Sequence, residues 1–332
     1  MVRALVTGAR GFVGQALVRA LIGQQTQVVC LDRTPAKPDA LSGLDVERVT
    51  SDIRDGATID RAMRGADWVF HLAAATAPRT MAESRAINVE GTRTLAAVAA
   101  GQAHAPVFVH VSSLAAAGPS STMSSETSPC RPVSHYGRAK RESEQVLEGF
   151  AERLSVTIIR PPCVFGQGDR NLLRLYKLVR RGWELHSHPS YQYSFLHVDD
   201  LVQGLIDAAM MGQRLLPPPN DTHAGLYFLA DPQPVTFPEL SMMIAQCLGV
   251  PRVRHVHVPR TTAWLTAVLG EVTQAITHRK IYVNRDKVRE AYAGSWICDP
   301  ARATRDWGFT PACSLAERLA QTHRSFQADG WL

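Results

Sequence analysis

Short runs of β-branched and aliphatic residues recur along the first half of the chain: Ala4-Leu5-Val6, Val28-Val29-Cys30-Leu31, Trp68-Val69-Phe70 and Val107-Phe108-Val109-His110-Val111. Runs that are apolar at consecutive positions suit strands buried on both faces. Between them, apolar residues fall at helical spacing, as at Ala16, Leu17, Ala20 and Leu21. This alternation predicts an α/β fold, a doubly wound parallel sheet whose ligands lie beyond the carboxyl ends of its strands. Val156-Thr157-Ile158-Ile159 predicts a sixth strand, so this part spans about residues 1–165. Beyond it the pattern loosens into Pro-rich and aromatic-rich connections, such as 216–220, and suggests a smaller C-terminal lobe over 166–332. A segment near 195–212, with a helix at Asp200 to Met210, can return to cover the sheet. Trp264, Leu265, Val268, Leu269, Val272 and Ile276 recur at helical spacing. Such a stripe reads first as core; a substrate-pocket wall or a face that meets lipid are the alternatives.

The 332 residues, 45% hydrophobic and 20% charged, can bury a substantial core. The net charge of +6 is scattered, without the basic run of a nucleic-acid tail, so no nucleic acid is expected. It suits anionic ligands without selecting one. Six separated cysteines show no CxxC or zinc spacing and are expected as free thiols. No carboxylate or cysteine completes a ligand set with His255, His257 and His278, so they read as solvated or core histidines and no metal is expected. The chain enters an apolar strand at once, without a signal-peptide pattern, and no run of eighteen apolar residues occurs. The expected location is cytoplasmic, with no membrane span.

The segment Thr7-Gly8-Ala9-Arg10-Gly11-Phe12-Val13-Gly14 follows the first strand and opens a helix. Gly8 would permit the tight turn, Gly11 the close approach of a pyrophosphate, and Gly14 close packing of helix on strand. The helix N-terminus adds free N–H groups and a positive dipole end. Asp32 ends the second strand eighteen residues after Gly14, where a carboxylate accepts hydrogen bonds from ribose hydroxyls. Together these predict a Rossmann-type dinucleotide site. Asp32 favours NAD over NADP, and the adjacent Arg33 leaves NADP open.

Tyr136 and Lys140 stand four apart on one predicted helix, and so on one face. A free phenol, with a pKa of about 10, exchanges protons poorly at neutral pH, and a neighbouring ammonium would lower that value. Ser112 and Ser113 end the fifth strand, where one hydroxyl can bond a substrate carbonyl.

In this order of motifs the chain resembles the extended short-chain dehydrogenase/reductases, the NAD-dependent epimerase/dehydratase superfamily. The resemblance runs nearly end to end, through Asp52-Ile53, His71-Leu72-Ala73-Ala74, Asn88 to Thr92, Arg160 to Gly166 and Phe195 to Asp200. It implies catalysis by Ser113, Tyr136 and Lys140, with Asp52 and Ile53 at adenine and Leu72, Ala73 and Ala74 beneath the cofactor. Arg10, Phe12, Val13, Asn88, Val111, Ser112, Pro161 and Val164 would join the cofactor site, and a homodimer through the helices after Asn88 and Tyr136 is expected.

The sugar-nucleotide branch usually carries a Tyr, an Asn and an Arg where this chain has Ala117, Cys163 and Tyr193. Three polar contacts are lost in one direction, and Ser112-Ser113-Leu114 lacks the acid pair of sugar dehydratases. The pattern is closest to the 3β-hydroxysteroid dehydrogenase and dihydroflavonol reductase branch, including the ending Trp296 to Pro311. The expected activity is alcohol/ketone interconversion on a hydrophobic or aromatic small molecule, steroid-, flavonoid- or β-keto-acyl-like, with Ser113, Cys163 and Tyr193 on the substrate side. The alternatives are a nucleotide-sugar epimerase with tightly bound NAD and a non-catalytic dinucleotide sensor.

Overall fold

A computed structural model describes residues 1–34, 40–76, 80–217, 222–277 and 284–332. Its main sheet has seven parallel strands: β1 (Arg3–Thr7), β2 (Gln27–Asp32), β3 (Glu47–Thr50), β4 (Trp68–His71), β5 (Val107–Val111), β6 (Val156–Arg160) and an edge strand, Leu226–Phe228. In space, the edge strand lies beside β6, followed by β5, β4, β1, β2 and β3. The chain starts at β1, winds outward to β3, then crosses back to β4 on the other side of β1. The crevice at the carboxyl ends of β1 and β4 is thus the topological switch point, where open α/β sheets bind ligands.

Both faces of the sheet are covered. Helices Phe12–Gly23 and Val198–Met211 bury Leu17, Leu21, Leu201 and Leu205 against Ala4, Val6, Phe70 and Val109. Gly56–Met63, Gly91–Ala100 and His135–Glu148 place Ile59, Leu95 and Leu147 against Leu5, Val69 and Phe108 on the opposite face. The expected strands and the returning helix near 200–210 are therefore present. The edge strand is only three residues long, at the start of the apolar run Leu226-Tyr227-Phe228-Leu229-Ala230. It is held by pairing with β6 and by Tyr227, whose hydroxyl donates to Asp306 at 2.8 Å and whose ring meets Trp307 edge-on at 4.3 Å.

A second core joins Phe165, Tyr176, Phe195, Leu240, Ile244, Leu319 and Phe326, largely from helices Arg170–Arg180, Phe237–Leu248 and Leu315–Ala328. Buried Asp200 ties this region to the returning helix by accepting from the Arg318 guanidinium and from the Ala312 N–H.

The reading of the Trp264 stripe as core is corrected. On helix Arg260–Thr277, Leu265 and Leu269 are 59% and 58% exposed, and Val272 is 52% exposed. Helical spacing reports a shared face but not what covers it. Trp264, Leu265 and Val268 instead line, with Arg260 and Thr261, an open hollow of about 420 Å³. The Ile276 side chain and His278 lie outside the described residues.

Candidate active site

The glycine loop is built to admit a flat, charged ligand. Gly8 has φ +72°, and a Cβ there would come within 2.8 Å of the Ala73 nitrogen. A Cβ on Gly14 would lie 2.2 Å from the Gly8 carbonyl oxygen. No side chain caps Gly11 at the start of helix Phe12–Gly23, and no acidic residue lies in its first turn. These features fit a dinucleotide whose pyrophosphate approaches backbone N–H groups at the positive helix end. Gly14→Ala is expected to overpack this turn by roughly 1–3 kcal/mol. Dinucleotide affinity should therefore fall roughly ten- to hundredfold, as read by quenching of intrinsic fluorescence with NADH.

Below the loop, a polar line fixes the ends of β1 and β4. The buried His71 ring bridges Thr7 Oγ1 at 2.8 Å and Thr92 Oγ1 at 2.9 Å. Thr92 donates to the Asn88 carbonyl at 2.7 Å, so His71 Nε2 carries the proton. Burial, and then Lys140, push His71 down to about 3. Asn88 lies in a π-helical turn, Ala86–Glu90, which widens the helix at that point. Its side chain grips Ala75, accepting from the N–H at 2.7 Å and donating to the carbonyl at 3.2 Å. Asn88 thus holds the Leu72-Ala73-Ala74 segment in place from behind.

At the far end of the crevice, Asp32 closes β2 with the Arg48 guanidinium 3.9 Å away. Arg33 is exposed beside it, and Arg10 donates to Thr34 Oγ1 at 2.7 Å. Asp52 is paired with Arg54 at 2.8 Å, and this hydrogen bond pulls its carboxyl down to about 2. Ile53 fills the space against Gly91, where a Cβ would lie 2.2 Å from Ile53 Cδ1.

Ser113, Tyr136 and Lys140 meet at the carboxyl edge of β5. Ser134 caps helix His135–Glu148 through the Gly137 N–H, and a Cβ on Gly137 would lie 2.3 Å from the Ala115 carbonyl oxygen. That close approach brings Tyr136 beside Ser113, whose hydroxyl favours the phenolate. Lys140 is buried and donates to the Val111 carbonyl at 2.7 Å. Burial lowers Lys140 to about 8, with Glu144 acting the other way. The expected fall of Tyr136 is reversed. Burial raises the phenol above its ordinary value, while Lys287 and Ser113 pull it down. Lys140 is tied to Val111, and the ammonium that acts on the phenol comes from helix Arg285–Ala291, about 150 residues further along the chain.

Ser112 faces away from the crevice. It donates to Glu144 at 2.5 Å, and Glu144 also accepts from Arg160 Nε at 2.8 Å and Nη2 at 2.6 Å. The Ser112 hydroxyl is committed to this buried pair, leaving its backbone to meet a cofactor. Pro161 accepts from the Leu114 N–H at 2.9 Å, and Val164 pairs with Leu196 in a two-stranded extension. Cys163 is exposed at its surface, while the protein packed around its sulfur pushes the thiol up to about 12. Tyr193 meets Phe237 edge-on at 4.7 Å and lies near Cys163. Ala117 is buried against Phe228 and Trp296.

All six cysteines are free. Among the described residues, no three His, Cys, Asp or Glu side chains could hold a metal ion, and no helix is long and apolar enough to cross a membrane. A carboxylate invisible to local spacing does reach the histidines: Glu184 Oε2 lies 3.0 Å from both His186 and His255.

The sequence matches the model of the NAD dependent epimerase/dehydratase family over residues 4–218. It is 28% identical over 330 residues to the ceramide reductase of Caulobacter vibrioides, covering 98% of this chain and 95% of that one. It is also 28% identical over 318 residues to the 4-hydroxy-2-methyl-3-oxo-4-farnesyl-3,4-dihydroquinoline-1-oxide ketoreductase of Stigmatella aurantiaca, covering 88% and 92%. The solved structure of MoeE5 in complex with UDP-glucuronic acid and NAD superposes with a TM-score of 0.76 at 25% identity, covering 98% of this chain and 99% of that one.

Proposed function

This chain belongs to the NAD dependent epimerase/dehydratase family of extended short-chain dehydrogenase/reductases, and from that premise we propose that it interconverts an alcohol and a ketone on a hydrophobic small molecule. The observation that carries this reading is the composition of the cleft. The Tyr136 phenol and Cys163 both feel the Lys287 charge, Cys163 keeps an un-ionised thiol, and Ala117 is buried in an apolar cluster. Neither the thiol of Cys163 nor the methyl of Ala117 offers a sugar hydroxyl a strong partner. The ceramide reductase and the farnesylated-quinoline ketoreductase are both named for reactions on lipid-like molecules, which supports the same substrate class. Residues 166–332 supply most of the substrate side, with 195–212 returning to the sheet, and the chain works as a homodimer.

Bound nicotinamide would supply or accept the hydride. The protein's share is to hold the substrate oxygen and manage its proton. In reduction, Tyr136 donates its proton to the developing alkoxide and Ser113 donates a hydrogen bond to the same oxygen. A partly enclosed phenol raised above its ordinary value is protonated at neutral pH, the form that reduction needs. The Lys140 ammonium is positioned by Val111 to meet the nicotinamide ribose. NAD is the favoured coenzyme because the Asp32 carboxylate repels a 2′-phosphate, although Arg10 and Arg33 flank that position.

MoeE5 in complex with UDP-glucuronic acid and NAD supports a second reading, epimerisation of a nucleotide sugar. One experiment separates the two. Purified protein is incubated with NADH or NADPH and a panel of steroid, flavonoid and long-chain 3-oxoacyl ketones, and separately with UDP-sugars. Net loss of nicotinamide absorbance with a hydrophobic ketone is expected. Retained NAD, with UDP-sugar epimerised and no net absorbance change, would overturn the reading.

A further inference from the structure

Helix Arg285–Ala291 is docked directly onto the start of the catalytic helix. The Asp286 carboxylate accepts from the His135 N–H at 2.9 and 3.0 Å and lies 3.5 Å from the Tyr136 nitrogen. A carboxylate at the positive end of a helix is well placed there. The next residue is consequently aimed at the catalytic phenol: Lys287 Nζ stands 5.8 Å from the centre of the Tyr136 ring. Asn284 caps this short helix by accepting from the Lys287 N–H at 2.9 Å, which fixes the backbone from which the side chain springs. Glu290, one turn on, accepts from Lys287 Nζ at 2.7 Å.

We propose that Lys287 is a positioning residue for proton exchange at Tyr136, with Glu290 as its electrostatic counterweight. The inference rests on Tyr136 being the proton-exchanging group. A unit charge about 6 Å from a partly enclosed phenol acts through much less than the dielectric of water. Among the described residues, other groups also face this space. Lys140 is turned to the Val111 carbonyl, Asp286 is held by backbone N–H groups with Arg289 3.6 Å away, Cys163 is un-ionised, and Ser113 is a neutral hydroxyl. Lys287 therefore favours the phenolate and Glu290 opposes it, in agreement with the directions in which the two act on Tyr136. The pair gives the C-terminal lobe direct influence over the acid-base group of the sheet domain. A substrate or mutation that draws Glu290 away from Lys287 strengthens the pull on the phenol.

The test is a titration of Tyr136 in the full-length protein carrying tyrosine isotope-labelled at Cζ, with the resonance assigned by its loss in Tyr136→Phe. Lys287→Met should move the Tyr136 midpoint upward by about one pH unit, a tenfold change in phenolate population at fixed pH. Glu290→Gln should move it downward, and Lys287→Arg should restore the wild-type position. Shifts in opposite directions are not produced by a merely structural role. Absence of either shift, or shifts of the same sign, would overturn the proposal. The functional reading is judged separately: ketone reduction that survives in Tyr136→Phe would sink that reading, and the titration would still decide whether Lys287 acts on the phenol.

Discussion

Tyr136→Phe is expected to lower kcat for ketone reduction by roughly 10²–10⁴-fold, the usual contribution of a positioned general acid, while NADH binding stays unchanged. The phenol is the group that Ser113 acts on, and Lys140 cannot replace it because its ammonium is drawn to the Val111 carbonyl. The glycine loop and Asp32 lie at the other end of the crevice, so the coenzyme should bind as before. Steady-state kinetics and fluorescence titration with NADH check the two halves together. A loss in kcat below tenfold would mean that another group delivers the proton. The wild-type pH profile gives a second view. Lys140 is charged below about 8 and loses its proton above it. The rate of reduction should hold through neutral pH and decline above about 8. A further fall follows at higher pH as Tyr136, raised above its ordinary value, ionises.

How much of this could be read from sequence depended on how local each signal was. The strands declared themselves because parallel strands buried on both faces are apolar at every position, as in Ala4-Leu5-Val6 with no exposed surface. The glycine loop was legible because each glycine answers a steric demand within a few residues, as the 2.2 Å approach between Gly14 and the Gly8 carbonyl shows. Tyr136 and Lys140 lie one helical turn apart, so their shared face was legible too. The spacing did not show where each side chain's hydrogen bonds go. Lys140 turns to Val111 and Ser112 to Glu144. Asp286 and Lys287 escaped notice because their partners lie about 150 residues earlier, and a short polar helix carries no sign of what it docks on. The Trp264 stripe failed for a related reason. Period 3.6 identifies a face, and only the tertiary structure shows that Leu265 and Leu269 are more than half exposed among the described residues.

A shorter separation in sequence hid the feature with the largest expected effect on stability. Glu144 and Arg160, sixteen residues apart on a helix and a strand, form an ion pair at 2.6 Å with side chains 0% and 1% exposed. Glu144 also accepts from Ser112 at 2.5 Å and from Arg141 at 3.2 Å. Burial pushes the Glu144 carboxyl up, but the Arg160 and Arg141 charges together with these hydrogen bonds bring it below its ordinary value. Glu144→Ala strands the Arg160 guanidinium in the interior and should cost roughly 3–5 kcal/mol, a fall in Tm on the order of 10 °C for a chain of this size. Differential scanning calorimetry reads it directly. The pair's contribution also depends on pH in a defined direction. Because the folded carboxyl titrates below the unfolded value of about 4.3, the stabilisation is complete above that value and is lost as pH falls through the folded one. A double replacement, Glu144→Met with Arg160→Met, removes both charges and should recover much of the lost stability. Its Tm should then fall less steeply on acidification than that of the wild type. A double variant no more stable than Glu144→Ala would show that the pair is needed for its hydrogen-bonding geometry as well as its charge balance. Since Glu144 anchors Ser112, whose neighbours Val111 and Ser113 hold Lys140 and Tyr136, catalytic loss in the double variant at a temperature where it remains folded would locate that need in the active site.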